Sequence, residues 1–160
     1  MLIGMARLLV VGLAAAVLVT VASLAQARSS SPEAKPLPGL PGYTAGYRGW
    51  VKINKKPLPR RRSDPHDGIK NVYASKRKRG ARYPYGTVIV KEAHSPGARF
   101  VKLIAVMRKV RGVSPRNNDW QMIEWARSSA SERFSEVARG SVCYSCHVGA
   151  KKNDYVFTRG

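Results

Sequence analysis

Two thiols and an imidazole near the end of the chain could together hold a haem. Cys143, Cys146 and His147 form a Cys-x-x-Cys-His run, and they include both cysteines of the 160-residue sequence. Thiols at this spacing, on a segment that turns like a helix, can each add to one vinyl group of a haem, and the next side chain then points at the iron. The run therefore predicts haem c, one per chain and covalently attached, with His147 as the proximal iron ligand.

Three other kinds of site compete for the same residues. A structural zinc site needs four ligands, and the remaining histidines, His66 and His94, lack a ligand-like spacing. A thioredoxin-type redox pair would begin a helix in a strand–helix–strand context, which the sequence does not show. A disulfide between Cys143 and Cys146 would close a small and strained ring. Haem attachment is therefore favoured over all three.

The beginning of the chain predicts export. Arg7 is followed by an apolar run at 8–24 and then by Ala25-Gln26-Ala27, which has the small-x-small form of a cleavage site, so residues 1–27 read as a signal peptide. The alternative is an uncleaved membrane anchor, since the run is only a little shorter than the ~20 residues of a spanning helix. Export also suits the haem, because bacterial c-type haem is attached outside the cytoplasm, and the expected location is the periplasm.

The rest of the chain is long enough for one domain with one core, and too short for two. Residues 28–46 are rich in Ser, Pro and Gly, which is typical of an extended tether rather than part of a core. The expected haem domain is then 47–160.

The formal net charge is +20, which predicts an anionic partner. Nucleic acid is disfavoured because an exported haem protein rarely meets it, and because no base-stacking aromatics are interleaved with the basic runs. An acidic redox protein or the anionic membrane surface is expected instead, while solvated basic loops without a partner are the alternative. A homodimer is left open. The basic runs are Lys55-Lys56, Arg60-Arg61-Arg62 and Lys76-Arg77-Lys78-Arg79.

Apolar, β-rich runs alternate with turn sequences through the middle of the chain. Successive strands joined by short loops form an antiparallel meander. Helical spacing is found mainly at 131–139, and a second helix is expected at 43–52. The predicted fold class is α+β. The runs expected to be strands are 69–74, 87–92, 100–109 and 120–126.

Five motifs together give the chain a family resemblance over residues 47–158. They are Tyr-Pro-Tyr-Gly-Thr-Val-Ile-Val-Lys-Glu at 83–92, Ile-Ala-Val-Met-Arg-Lys at 104–109, Asp119-Trp120, the Cys-x-x-Cys-His run and Asp-Tyr-Val-Phe-Thr at 154–158. In these the chain resembles the cytochrome P-460 family. The resemblance implies a curved antiparallel sheet packed on the haem, a five-coordinate iron, oxidation of hydroxylamine, and a lysine bonded to the porphyrin ring. That lysine matches Lys91.

Side-chain alternation is compatible with such a role for Lys91. In a strand over 87–92, Thr87, Ile89 and Lys91 share one face, whereas Val88, Val90 and Glu92 share the other. If the first face meets the haem, Lys91 reaches its edge. The alternative is an ordinary lysine at the end of a strand, with its charge in water.

A second catalytic residue is expected because hydroxylamine must lose protons as it is oxidised, and a carboxylate near the iron can accept them. Glu124 is the first choice, since Trp120, Met122 and Glu124 share one face of a predicted strand. A solvent-facing or salt-bridged glutamate is the alternative. Glu92 is a weaker second choice, because it lies opposite Lys91.

Other side chains could ligate the iron or move protons. Met107 and Met122 could supply a sixth ligand, but an isolated methionine in an apolar strand is more often part of the core. His66 lies in a polar turn and reads as a loop histidine, with a proton donor at the pocket edge as the alternative. His94 precedes Ser95-Pro96-Gly97 and reads as loop surface.

The sequence thus predicts an exported enzyme that oxidises hydroxylamine or a related small nitrogen compound and passes electrons to an acceptor. The alternatives are a cytochrome that binds nitric oxide without turnover, as in the sister family of cytochromes c prime beta, and a simple electron carrier.

Overall fold

One antiparallel sheet forms the frame of the structure. In the computed structural model, which describes residues 34–61, 63–95, 97 and 99–158, six strands pair in the order β1-β2-β3-β4-β5-β6. The predicted α+β class and meander are therefore confirmed. The strands are β1 Val51–Lys52, β2 Ile69–Ala74, β3 Val88–His94, β4 Leu103–Lys109, β5 Trp120–Ala126 and β6 Ser135–Arg139.

Helical structure is short and mostly follows the sheet. The α-helix α1, Ser141–His147, comes directly after β6 and carries the Cys-x-x-Cys-His run. It continues into a 3₁₀ segment at Val148–Asn153. Within the described residues, no helix has the length and apolar composition needed to cross a bilayer. The predicted signal peptide and the first residues of the predicted tether lie outside the described residues.

The register of the sheet places its side chains in rows. Ile89 pairs with Met107, and Met107 pairs with Met122, so these three form an apolar row across β3, β4 and β5. The row beside it on the same face consists of Lys91, Ala105 and Glu124. The predicted faces of β3 and β5 are thus confirmed for these residues, although Thr87 precedes β3 and its hydroxyl binds the Pro84 carbonyl oxygen.

The opposite face of the sheet carries the larger apolar core, and the predicted tether contributes to it. Leu40 is only 7 % exposed and packs in this core, together with the buried Phe134. The Phe134 N–H donates to the Pro38 carbonyl oxygen at 2.9 Å. Gly39 has a φ of 90° and passes so close to the Phe134 backbone that a Cβ would collide with it. The end of the segment predicted as a free tether is therefore packed structure.

Both predicted helices need correction. Residues 135–139 form β6, an exposed strand that pairs with β5, so the helix predicted at 131–139 is wrong. Backbone pairing to the edge of the sheet outweighs the helical spacing of Phe134 and Val137, because Val137 remains exposed and gains nothing from a helical face. The helix predicted at 43–52 is instead two 3₁₀ turns, Gly42–Thr44 and Tyr47–Gly49, followed by β1.

A buried carboxylate ties the end of the chain to the sheet. Asp154 is inaccessible at its side chain and accepts two hydrogen bonds from Lys109 Nζ, at 2.7 and 2.8 Å. Three further donors point at the same carboxylate: the Tyr83 N–H at 2.7 Å, Asn118 Nδ2 at 2.7 Å and Trp120 Nε1 at 3.2 Å. Asp154 thus joins β4, β5 and two loops, and it fixes the residues that follow it.

Candidate cofactor site

A cavity with mostly apolar walls opens on the face of the sheet that carries Ile89 and Lys91. It contains about 470 Å³ of space between its lining atoms, its open mouth included. The row of Ile89, Met107 and Met122 forms its floor, and Val156 and Phe157 from the C-terminal segment form one wall. Met107 and Met122 are 8 % and 2 % exposed, so they belong to the core of this face as well as to the cavity.

Helix α1 brings the predicted haem-binding residues to this cavity. Cys143, Cys146 and His147 lie at positions i, i+3 and i+4, which share one face of a helix. Cys143 is half-buried and lines the cavity, whereas Cys146 is exposed, and both thiols are free. Burial, together with the charge of nearby Glu124, raises the pKa of Cys143. Cys143 is therefore positioned at the cavity wall, Cys146 lies one helical turn further along α1, and both thiols remain available for covalent chemistry.

His147 is prepared to act as a ligand through one specific nitrogen. Its Nδ1 lies 2.7 Å from the Tyr155 carbonyl oxygen, which can only accept, so Nδ1 carries the proton and donates it. The lone pair of Nε2 is then left for a metal, the arrangement usual for ligating histidines. Burial lowers the pKa of His147, which favours the neutral imidazole that a metal requires. Tyr155 is held in turn by its N–H, which donates to the Ala150 carbonyl oxygen at 2.9 Å, and by its hydroxyl, which donates to the Arg116 carbonyl oxygen at 3.0 Å.

Lys91 and Glu124 both line the cavity, and a histidine lies between them. Lys91 Nζ is 3.1 Å from His66 Nδ1, and His66 Nε2 is 3.2 Å from Glu124 Oε2. The side chains of His66 and Glu124 are 12 % and 14 % exposed, so neither faces bulk water freely. Burial lowers the pKa of Lys91, and a lower pKa favours the neutral amine that a bond to carbon requires.

His66 was predicted to be a loop histidine and not a site residue. The structure places it at the cavity, as in the alternative of a proton donor at the pocket edge. Its turn, Asp64-Pro65-His66, gives no periodic signal that could place the ring over the sheet. His94 differs from its prediction too. It ends β3 instead of lying in a loop, and its Nε2 is 3.6 Å from Glu92 Oε1.

Glu92 is separated from the cavity by the sheet. It accepts hydrogen bonds from the Tyr47 hydroxyl at 2.6 Å and from Arg48 Nε at 3.0 Å on the opposite face. Burial alone would raise the pKa of Glu92, but the bonds from Tyr47 and Arg48 outweigh it and lower that pKa. Glu92 is therefore an ionised structural group, and Glu124 is the carboxylate that the sheet brings to the cavity.

A cavity on an antiparallel sheet, bordered by a Cys-x-x-Cys-His helix whose histidine keeps Nε2 free, defines a cytochrome. The family model described as Cytochrome P460 matches residues 44–158, and the chain belongs to that family. No curated protein was found to match the chain. Membership makes this a protein of the c-type haem class, with an iron porphyrin as its cofactor.

The residues of the cavity fit that cofactor. The apolar row of Ile89, Met107 and Met122 suits the faces of a porphyrin, and the free thiols of Cys143 and Cys146 lie within one helical turn of His147. A hydrophobic surround with few polar groups is also what tunes a haem site. His147 would hold the iron, and the two cysteines would hold the ring.

Proposed function

We propose that this protein is a periplasmic haem enzyme that oxidises hydroxylamine, or a related small nitrogen compound, and passes the electrons to an acceptor protein. One observation carries the proposal: Lys91 and Glu124 line the same cavity as His147. The haem, when bound, supplies an iron that can take electrons from a nitrogen ligand. Cys143 and Cys146 would attach the ring through thioether bonds, and His147 would ligate the iron.

Glu124 is the base in this proposal. Oxidation of hydroxylamine releases protons, and a positioned carboxylate can accept them in the transition state. The side chain of Glu124 is mostly shielded from water yet lies on the cavity wall, 3.2 Å from His66 Nε2. Its position on the wall puts the carboxylate within reach of a small substrate that enters the cavity.

Lys91 is the residue that bonds to the porphyrin. Its amine must be neutral to form a bond to carbon, and burial lowers its pKa in that direction. A bond between Lys91 Nζ and a ring carbon would release one proton from each atom and two electrons in total, so it would require a two-electron oxidant such as hydrogen peroxide. The row of Lys91 with Ala105 and Glu124 places the amine at the polar edge of the cavity.

Replacing Lys91 by leucine tests the enzyme assignment. The variant should fold and keep its thioether bonds, because neither depends on the amine. Its main absorption band should move from the far-red position of a crosslinked ring to that of ordinary c-type haem, and hydroxylamine turnover should be lost while nitric oxide still binds. In the wild type, peptide mapping should find haem joined to the segment that contains Lys91.

Lys55→Leu is the matched control, since Lys55 is an exposed lysine that lines neither this cavity nor the wider basic cleft described below. This control should keep the wild-type spectrum and turnover. An unchanged spectrum and unchanged turnover in Lys91→Leu would remove the main support for the enzyme assignment.

A second candidate function is binding of nitric oxide or carbon monoxide without turnover. It is favoured by the apolar row of Ile89, Met107 and Met122, which offers an uncharged surface to a diatomic gas. Ferric protein that is high-spin and binds cyanide, yet does not consume hydroxylamine with any acceptor, would decide for this candidate. A low-spin spectrum that changes on replacing Met107 or Met122 would instead indicate an electron carrier.

The acceptor in this proposal is an acidic protein that docks beside the cavity. A second, wider cleft is lined by Lys52, Lys76, Arg77 and Lys78, and Thr158 belongs to both this cleft and the first cavity. Positive charge beside the cavity attracts an acidic partner, and dissolved salt screens this attraction. Reduction of an acidic acceptor should therefore slow steeply as ionic strength rises, and a rate independent of salt would argue against this docking surface.

A further inference from the structure

We propose that His66 is a positioning residue of this site, and that its ring holds Lys91 by a hydrogen bond and Glu124 by an electrostatic contact at the cavity. The inference rests on the proposed function, because His66 acts through the two residues to which that function assigns chemistry. The His66 ring and its loop make the contacts that support this role.

The sheet leaves a gap that the ring of His66 fills. Lys91, Ala105 and Glu124 pair in one row across β3, β4 and β5. Lys91 and Glu124 are thus two strands apart, roughly 10 Å between their backbones. Ala105 contributes only a methyl group between them, so the row has room for a side chain from outside the sheet. His66 reaches both neighbours from its loop, at 3.1 Å to Lys91 Nζ and 3.2 Å to Glu124 Oε2.

The two partners determine how the ring is protonated. The N–H groups of Lys91 Nζ can donate, and a carboxylate can only accept. When His66 Nδ1 accepts from Lys91 Nζ, the ring N–H is on Nε2, which lies 3.2 Å from Glu124 Oε2. Each end group therefore faces a separate ring nitrogen.

A buried lysine fixes the loop that presents His66. The side chain of Lys70, on β2, is only 2 % exposed, and its Nζ lies 2.7 Å from Asp64 Oδ2 and 3.2 Å from the His66 carbonyl oxygen. Asp64 in turn accepts from the His66 N–H at 3.0 Å through its other oxygen. A lysine is almost never buried to this extent without a partner. The Lys70–Asp64 pair therefore holds the backbone on both sides of the His66 side chain.

Two amide substitutions test the contacts of the two ring nitrogens separately. His66→Gln keeps a donor near the position of Nε2 but loses the contact with Lys91, so the fraction of protein with haem joined to Lys91 should fall by about tenfold, the size expected for the loss of one hydrogen bond. His66→Asn keeps an acceptor near Nδ1 but loses Glu124, so crosslinking should persist while hydroxylamine turnover falls by about as much. Intact mass measures the first effect, and steady-state assays measure the second.

A readout that needs neither crosslinking nor turnover is the stretching frequency of carbon monoxide bound to the ferrous protein, which responds to polar groups facing the ligand. His66→Ala should shift this frequency, and adding Lys91→Leu or Glu124→Gln should shift it by less than the sum of the single effects. His94→Ala is the matched control, since His94 contacts Glu92 on the opposite face, and it should behave as wild type. Thermal unfolding of each variant checks that it folds.

The outcomes separate this inference from the proposed function. If His66→Ala leaves the frequency and the crosslinked fraction at wild-type values while Lys91→Leu changes them, the positioning role of His66 is overturned and the proposed function stands. If Lys91→Leu leaves the haem spectrum and turnover unchanged, the proposed function fails, and the carbon monoxide frequency of His66→Ala alone decides whether His66 positions groups at the cavity.

Discussion

Haem should stay with the polypeptide through acid–acetone extraction and denaturing electrophoresis, and Cys143→Ala combined with Cys146→Ala should abolish this retention. Thioether bonds survive denaturation, whereas a bond from His147 to iron does not hold once the protein unfolds. Both cysteines are free and lie on one face of α1, with Cys143 at the cavity wall. Haem stain on the gel should therefore change from full intensity to none, the largest effect expected of any variant discussed.

Single variants and a neighbouring control make this test specific. Either cysteine alone should still retain haem through one bond, so only the double variant should lose it entirely. Ser145→Ala is the control, because Ser145 lies between the cysteines and its hydroxyl only donates to the Val142 carbonyl oxygen at 2.9 Å. Haem that extracts freely from the wild type would refute covalent attachment.

Asp154→Ala should destabilise the fold by about 3–5 kcal/mol, the usual cost of removing one partner of a buried ion pair. Lys109 is 4 % exposed and its Nζ would lose its carboxylate, while Asn118 and Trp120 would lose an acceptor. Urea unfolding followed by tryptophan fluorescence measures the change, and Trp120 itself contacts the altered residue. The variant should also bind haem less well, because Tyr155, whose carbonyl oxygen orients His147, directly follows Asp154.

Two comparisons test the cause of that effect. Replacing Lys109 and Asp154 together by apolar residues of similar volume should recover much of the loss, since no unpaired charge then remains buried. Glu136→Ala removes an exposed ion pair with Arg139 and should leave the unfolding midpoint almost unchanged. A midpoint for Asp154→Ala equal to that of Glu136→Ala would show that the buried pair contributes no more than a surface pair.

The four strands from β2 to β5 were predictable because buried apolar residues recur along each of them. Ile69–Ala74 and Trp120–Ala126 coincide with the predicted runs. Ser135–Arg139 was not predictable in this way: four of its five residues are exposed, so neither alternation nor β propensity marks it. Its strand conformation comes from pairing with β5, which is a property of the assembled sheet.

Site residues were predictable where a chemical motif or side-chain alternation identifies them. They were not predictable where the register of strand pairing determines which residues become neighbours. The Cys-x-x-Cys-His run needs no fold to be recognised, and alternation alone placed Ile89 with Lys91 and Met122 with Glu124. That Lys91 and Glu124 share a row depends on the pairing of both with Ala105, which no local pattern determines. The position of His66 was the hardest to predict, because its ring is placed by a loop, and the buried Lys70 in turn holds that loop.

The meander described above also sets an order of events during folding. Every strand pairs with the next strand in the chain, so each pairing closes only a short loop and costs little chain entropy. Sheets built from such local contacts form faster than sheets with distant pairings. Helix α1, with both cysteines, comes after β6. Because α1 contacts β5 and β6, we expect Cys143 to reach the cavity wall only once these two strands have paired, so that the cavity is completed after its floor.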